Sequence, residues 1–390
     1  MFVPSRLTAA RKRRGVTITA LSVESGISTK SLSDYENGKK EPSGETLARL
    51  SQALRVPPEY FSRLPLEEVP GEAVSFRAPS KMLARNRDMA LIIASHAIEL
   101  RAWIDAHYET PAVDVPTLHK YAGVRAASRA AAIVRAKWGL GEAPVGNMVH
   151  LLELHGVAVF SVRGQKAQLD AFSFRVSDRP YILLNTSTSA ERGRFDAAHE
   201  LGHLVLHSEA RGVMGLDAER EADAFASAFL MPEADVRANM RVNPPLEQIL
   251  KKKRRWKVAA IALAYRLHEL GLLSDWLYHT TCVNLSRMGY RSGEPDGIER
   301  EASRLLGQVM SDLWTISHGF EELRRQLAVQ PHDINDLVFN LAPVVLEGDR
   351  QQSAPLHPKL RVLEGAKHAR GAIPGAGLRS LRGQSRGADA

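Results

Sequence analysis

The chain has 390 residues, of which 44% are apolar and 25% charged, an ordinary balance for folded protein and enough length for two or three domains. No apolar run reaches the length of about 18 residues that a membrane helix needs, and no signal peptide precedes the first polar helix, so a cytoplasmic protein with no membrane partner is expected. The single Cys282 excludes an internal disulfide framework and reads as a buried thiol, while a net charge of +8 permits nucleic-acid contact without demonstrating it.

Residues 1–65 read as five short helices. Ser5–Arg13 ends in a basic run closed by Gly15. Thr17 caps Ile18–Ser25, which Gly26 stops, and Ser28 caps Thr29–Asn37. Glu45–Leu54 and Pro58–Arg63 complete the set, around a core of Leu7, Leu21, Ile27, Leu32, Leu47, Leu50 and Leu54. Two helices joined at Gly26-Ile27-Ser28 make a helix-turn-helix with Thr29–Asn37 as the recognition helix. The segments RKRRGVT, GISTKSLSDYENGKKEPS and TLARLSQAL resemble the lambda-repressor-like (Xre-type) DNA-binding domains. That resemblance implies double-stranded DNA as a partner, with Thr29, Lys30 and Ser33 toward base edges and Arg11, Lys39 and Lys40 toward phosphates. Ile18 departs from it, standing where relatives often carry Gln, and Asp34 is an unfavourable charge near phosphate.

Residues 66–125 form a connector. The acidic, proline-containing stretch 64–71 and Phe76-Arg77-Ala78-Pro79 lead to a long helix over Ser80–His107. Met89, Ile92, Ile93, Ala97, Leu100 and Ile104 are spaced along one side of it, the pattern of a connecting helix or of a homodimer seam.

In residues 126–240, helices over Arg129–Trp138 and Val145–Leu154 precede strands at 156–162, 171–176 and 181–185, the last two joined at 177–180. Ala171–Phe174 is expected to be an edge strand to which an extended peptide substrate adds.

The next stretch carries the chemistry. His199-Glu200-Leu201-Gly202-His203 is the HExxH pattern: on a helix the two histidines share a face and can hold one metal ion, while Glu200 stands beside a water rather than on the ion. Gly202 costs about 1 kcal/mol of helix propensity, so room for a close backbone or ligand is its expected value. A second helical run from Glu219 stops at Pro232 and pairs Glu219 with Asp223 on one face. Glu219 is the stronger candidate for the third ligand, with Asp223 orienting a ligand histidine, and Glu221, pointing away from that face, is the weaker candidate. His207 reads as a helix-end or core histidine.

His-Glu-Leu-Gly-His, followed by the block from Glu219 to Pro232, resembles the ImmA/IrrE family of bacterial metallopeptidases over roughly Ser128 to Tyr290. The resemblance implies one Zn2+ (or another divalent metal) per chain on His199, His203 and Glu219. It also implies Glu200 as the base, and a protein substrate that is a repressor or antitoxin-like regulator. Tyr181 is the candidate second oxyanion donor. A rival reading keeps the DNA-binding domain and makes the metal domain a non-catalytic sensor of a ligand or partner; retention of Glu200 argues against it.

After Pro232 helices resume, with the dense basic run Lys251–Lys257 read as a solvated face or a further nucleic-acid or partner contact. The expected architecture is therefore mainly α and multidomain. It places a five-helix lambda-repressor-like domain at 1–65, a connector at 66–125, an α+β zincin-like metallopeptidase domain with a small sheet at 126–240, a helical extension at 241–345 and a disordered basic tail at 346–390.

Overall fold

The computed structural model describes residues 1–71, 74–76, 83–121, 123–163, 171–207, 215–291 and 293–342. The expected start of the long helix at Ser80 and the tail at 346–390 lie outside these residues. The fold is mainly α with one small sheet, and among the described residues no helix is long and apolar enough to cross a membrane.

The N-terminal unit consists of α1 (Pro4–Arg13), α2 (Ile18–Ser25), α3 (Thr29–Glu36), α4 (Gly44–Leu54) and a fifth short helix, of 3-10 type, at Pro58–Ser62. Local chemistry sets its boundaries. Thr17 accepts a hydrogen bond from the Ala20 amide and Ser28 from the Ser31 amide, satisfying helix-end donors. Gly26 closes α2 at φ 66°, a left-handed conformation that glycine adopts without a Cβ penalty. Leu7, Leu21, Leu32, Leu50 and Leu54 fill the core between these helices.

The connector holds a short strand, β1 (Ser75–Phe76), and α5 (Ala84–His107). Then come α6 (Val124–Lys137), α7 (Met148–Leu154), β2 (Ala158–Val162), β3 (Phe172–Val176) and β4 (Arg179–Asn185). The sheet order is β1-β3-β4-β2. Strands β2 and β4 run parallel, while β3 is antiparallel to β4 through a two-residue turn at Ser177 and Asp178, both with positive φ. β3 is not the edge strand it was expected to be, because β1 pairs with it antiparallel, Ser75 opposite Ser173 and Phe76 opposite Phe172.

Alternation along the strands separates two cores. Val159, Ala171, Ile182 and Leu184 pack with α6, α8 (Ala190–Leu206) and α9 (Leu216–Leu230). Phe160, Phe172, Phe174, Tyr181 and Leu183 face the other way, toward α5. The chain continues as α10 (Glu233–Asn239), α11 (Leu246–Trp256), α12 (Ala260–Glu269) and α13 (Asp275–Arg287), where Cys282 is partly exposed rather than buried. Last come α14 (Arg304–Thr315), α15 (Gly319–Leu327) and α16 (Pro331–Leu337), which cover the second core.

Three cations of the basic run on α11 are paired within the chain. Lys253 is buried against Glu294 at 2.8 Å, Arg255 meets Asp235 at 2.6 Å and Arg254 meets Asp296 at 3.3 Å.

Helix α5 sits between the N-terminal unit and the sheet, and its apolar residues pack within the chain. Glu99 on α5 takes Arg6 at 2.7 Å and Arg63 at 2.9 Å, while Tyr60 Oη lies 3.0 Å from His96 Nε2. Asp333 on α16 receives Arg13 and Arg14, and Ala328 joins the N-terminal core.

Candidate metal centre and DNA-binding face

Ser189 caps α8, accepting from the Arg192 amide, and the following turns bury one face of the helix against α9 and the sheet. His199 and His203 emerge one turn apart, 1% and 3% exposed. Their Nε2 atoms face each other at 3.0 Å. Glu219, in the first turn of α9, brings one carboxylate oxygen to 3.6 Å from His199 Nε2 and the other to 3.4 Å from His203 Nε2. The three ligand atoms lie within 4.8 Å of one another. Glu219 Oε1 is buried with no hydrogen-bond partner. A buried acceptor aimed at two imidazole nitrogens suits a small cation; ligands about 2 Å from a tetrahedral ion sit roughly 3.3 Å apart.

Gly202 makes this convergence possible. A Cβ built there would meet Ala222 Cα and Phe225 Cβ at 3.2 Å, so the missing side chain lets α9 lie close against α8.

Both histidines are held from behind. Asp223 Oδ1 lies 2.8 Å from His199 Nδ1. His207 Nδ1 lies 3.0 Å from His203 Nδ1, and its Nε2 meets Glu221 Oε2 at 2.8 Å. Glu221, which also accepts from the Gly123 amide, thus stands on the far side of His207 from the three ligand atoms. Burial works against a proton on His199, but the Asp223 and Glu219 carboxylates outweigh it and raise its pKa to about 9.

Glu200 is 2% exposed and lies outside the ligand group. Ser173 Oγ on β3 donates to its Oε2 at 2.6 Å. Burial lifts the Glu200 pKa to about 7, with the His199 charge and the Ser173 hydrogen bond pulling the other way.

On the N-terminal unit, Thr29, Lys30, Lys39 and Lys40 are exposed, and Ser33 is half-buried. Asn37 Nδ2 reaches Ser33 Oγ at 3.2 Å, and Lys40 lies 3.3 Å from Asp34, which gives that acid a local partner. Arg11 departs from expectation. Its guanidinium makes a two-point contact with Glu36, at 2.7 and 2.9 Å, and donates to Val16 O, so it braces α1 against α3 instead of facing phosphate.

Residues 7–61 match the helix-turn-helix family model, and residues 152–268 match that of the IrrE N-terminal-like domain, peptidase family M78. The chain joins a helix-turn-helix domain to an IrrE-like domain of a metallopeptidase family. No curated protein matches it.

The matched IrrE-like segment contains His199, Glu200, His203 and Glu219. Three of its residues escaped the sequence reading in their roles. His207 carried a signal, since it continues the four-residue spacing from His199 and His203. Glu221 carried none, because which histidine it meets depends on how α9 lies against α8. Ser173 is one hydroxyl in an alternating strand and becomes meaningful only when β3 is laid over α8. Tyr181, the candidate oxyanion donor, is on the wrong face: it stacks on Phe174 at 5.0 Å in the second core, away from α8.

Proposed function

We propose that this chain is a DNA-binding transcriptional regulator whose IrrE-like domain is a zinc-dependent metalloendopeptidase, hydrolysing a peptide bond in a repressor or antitoxin-like protein. The observation that carries the reading is the division of labour on α8. His199 and His203 point at Glu219, whereas Glu200, on the same helix, is kept off the ligand group and held by Ser173. Among the described residues no fourth His, Cys, Asp or Glu joins the three, the donor number of a catalytic rather than a closed structural site. His199, His203 and Glu219 would hold the ion. Bound there, a divalent metal supplies Lewis-acid polarisation of the substrate carbonyl and makes water acidic enough to attack. Glu200 takes the proton from the attacking water and passes it to the leaving amine. Ser173 fixes which way that carboxylate faces. On the other domain, α3 offers Thr29, Lys30 and Ser33 to base edges, with Lys39 and Lys40 beside the backbone.

The test incubates purified protein and zinc with the repressors encoded by neighbouring genes, beside a Glu200→Gln variant. Specific fragments with the parent and none with the variant are expected. A variant that still answers the inducing condition in the cell, with no cleaved partner found by mass spectrometry, would replace this reading with a ligand or partner sensor.

A further inference from the structure

A peptide that binds by adding a strand needs a free edge. In this domain β4 lies on one side of β3, and the chain's own β1 lies on the other. Ser173, which donates to Glu200 Oε2 at 2.6 Å, stands opposite Ser75 in the register. Neighbouring strands are about 4.8 Å apart, so Ser75–Phe76 runs one strand spacing from the residue that touches Glu200. Its direction is antiparallel to β3. On the N-terminal side of this segment Val69 and Val74 are buried in the second core, 6% and 7% exposed. Val69 and Val74 thus anchor the stretch, and the pairing itself covers only two residues, a bond that a longer peptide can displace.

We propose that the segment at Ser75–Phe76 is held as an internal peptide ligand in the place of the substrate strand, so that it and a peptide substrate exclude each other. The inference rests on the reading of this domain as one that binds peptides. It couples the two halves of the protein: the segment that must leave for a substrate to enter is part of the tether between the DNA-binding domain and α5.

The experiment uses the full zinc-loaded chain carrying Glu200→Gln, so that binding is read without turnover. The probe is a fluorescein-labelled peptide of residues 69–76, VPGEAVSF. Two variants free the edge by different routes. Ser75→Pro with Phe76→Pro removes both main-chain donors, and Val74→Asp removes a buried anchor while leaving the strand intact. Each is expected to bind the peptide at least tenfold more tightly than the Glu200→Gln parent. Hydrogen exchange at Phe172–Phe174 should quicken in the variants and slow again when peptide is added. Folded variants that bind the peptide no better than the parent overturn the proposal. Restoring Glu200 in the double-proline chain separates the two readings: tight binding with no hydrolysis of the peptide leaves the internal ligand standing and removes the peptidase.

Discussion

His203 and His207 face each other Nδ1 to Nδ1 at 3.0 Å, and His207 passes the contact on to Glu221 at 2.8 Å. One proton arrangement satisfies all three. Glu221 accepts from His207 Nε2, His207 Nδ1 accepts from His203, and the lone pair of His203 Nε2 is left for an ion. His207→Ala or Glu221→Gln is therefore expected to weaken metal binding by about 10- to 100-fold, the usual cost of losing a group that orients a ligand. Competition with a coloured chelator reads this directly. Unchanged affinity in both variants would show that the relay does not position His203.

The ligands themselves behave differently. Purified protein should hold about one divalent ion per chain, and His199→Ala or Glu219→Ala should abolish stoichiometric binding by elemental analysis. If Glu221→Ala abolished it and Glu219→Ala did not, the third ligand would be misassigned.

Gly202→Ala tests the closeness of the two helices. The new methyl would sit 3.2 Å from Ala222 Cα and from Phe225, so α9 must shift by a few tenths of an ångström. The gain in helix propensity, about 1 kcal/mol, is set against an overpacking cost of roughly 1–3 kcal/mol. A net loss of about 1 kcal/mol is expected in chemical denaturation of the metal-free protein. Zinc should restore less stability than in the parent, because Glu219 and Asp223 ride on the displaced helix. Equal stabilisation by zinc in both proteins would contradict this.

Asp333 links the helix-turn-helix domain to the C-terminal helices, and its contribution depends on pH. Burial alone would raise its pKa, but Arg13 and Arg14 outweigh burial and hold the carboxylate well below its ordinary value. A carboxyl depressed in the folded state stabilises fully above its unfolded pKa of about 4, and that stability is lost as pH falls toward the folded value. Asp333→Asn should cost about 2 kcal/mol near neutrality, since Arg13 and Arg14 lose their counter-charge while keeping the Asp333, Leu54 and Arg55 carbonyls as acceptors. It should also flatten the loss of stability below about pH 4. Parallel pH profiles for variant and parent would exclude the pairing as the cause.

DNA binding separates residues that touch the duplex from those that build the domain. Lys30→Ala and Ser33→Ala should reduce preference for the specific site, and Lys39→Ala or Lys40→Ala should each lower the salt slope by about one. Arg11→Ala should leave the slope unchanged and lower thermal stability, because it releases Glu36. A slope reduced by Arg11→Ala as much as by Lys39→Ala would return Arg11 to the phosphates.

What could be read from the residues was what local chemistry decides. Thr17, Ser28 and Gly26 act within a few residues of themselves, and the helices they bound fall where those residues put them. The facing histidines follow from helical spacing alone. Two strand residues have no period to detect, so β1 was invisible until it paired with a partner 98 positions later in the chain (Ser75 with Ser173). The Arg11–Glu36 contact spans 25 residues and two helices, and no propensity reports it. Lys253 looked like surface in a run of cations, yet Glu294 takes it inside.

The docking of the helix-turn-helix domain has a practical consequence. Arg6 and Arg63 on Glu99, Arg13 and Arg14 on Asp333, and Tyr60 beside His96 bind it to α5 and to α16. Covalent continuity is thus not the only thing that keeps the two halves together. A protein nicked between them would travel as one particle through a sizing column and come apart only in denaturant, so the intactness of a preparation has to be judged on a denaturing gel.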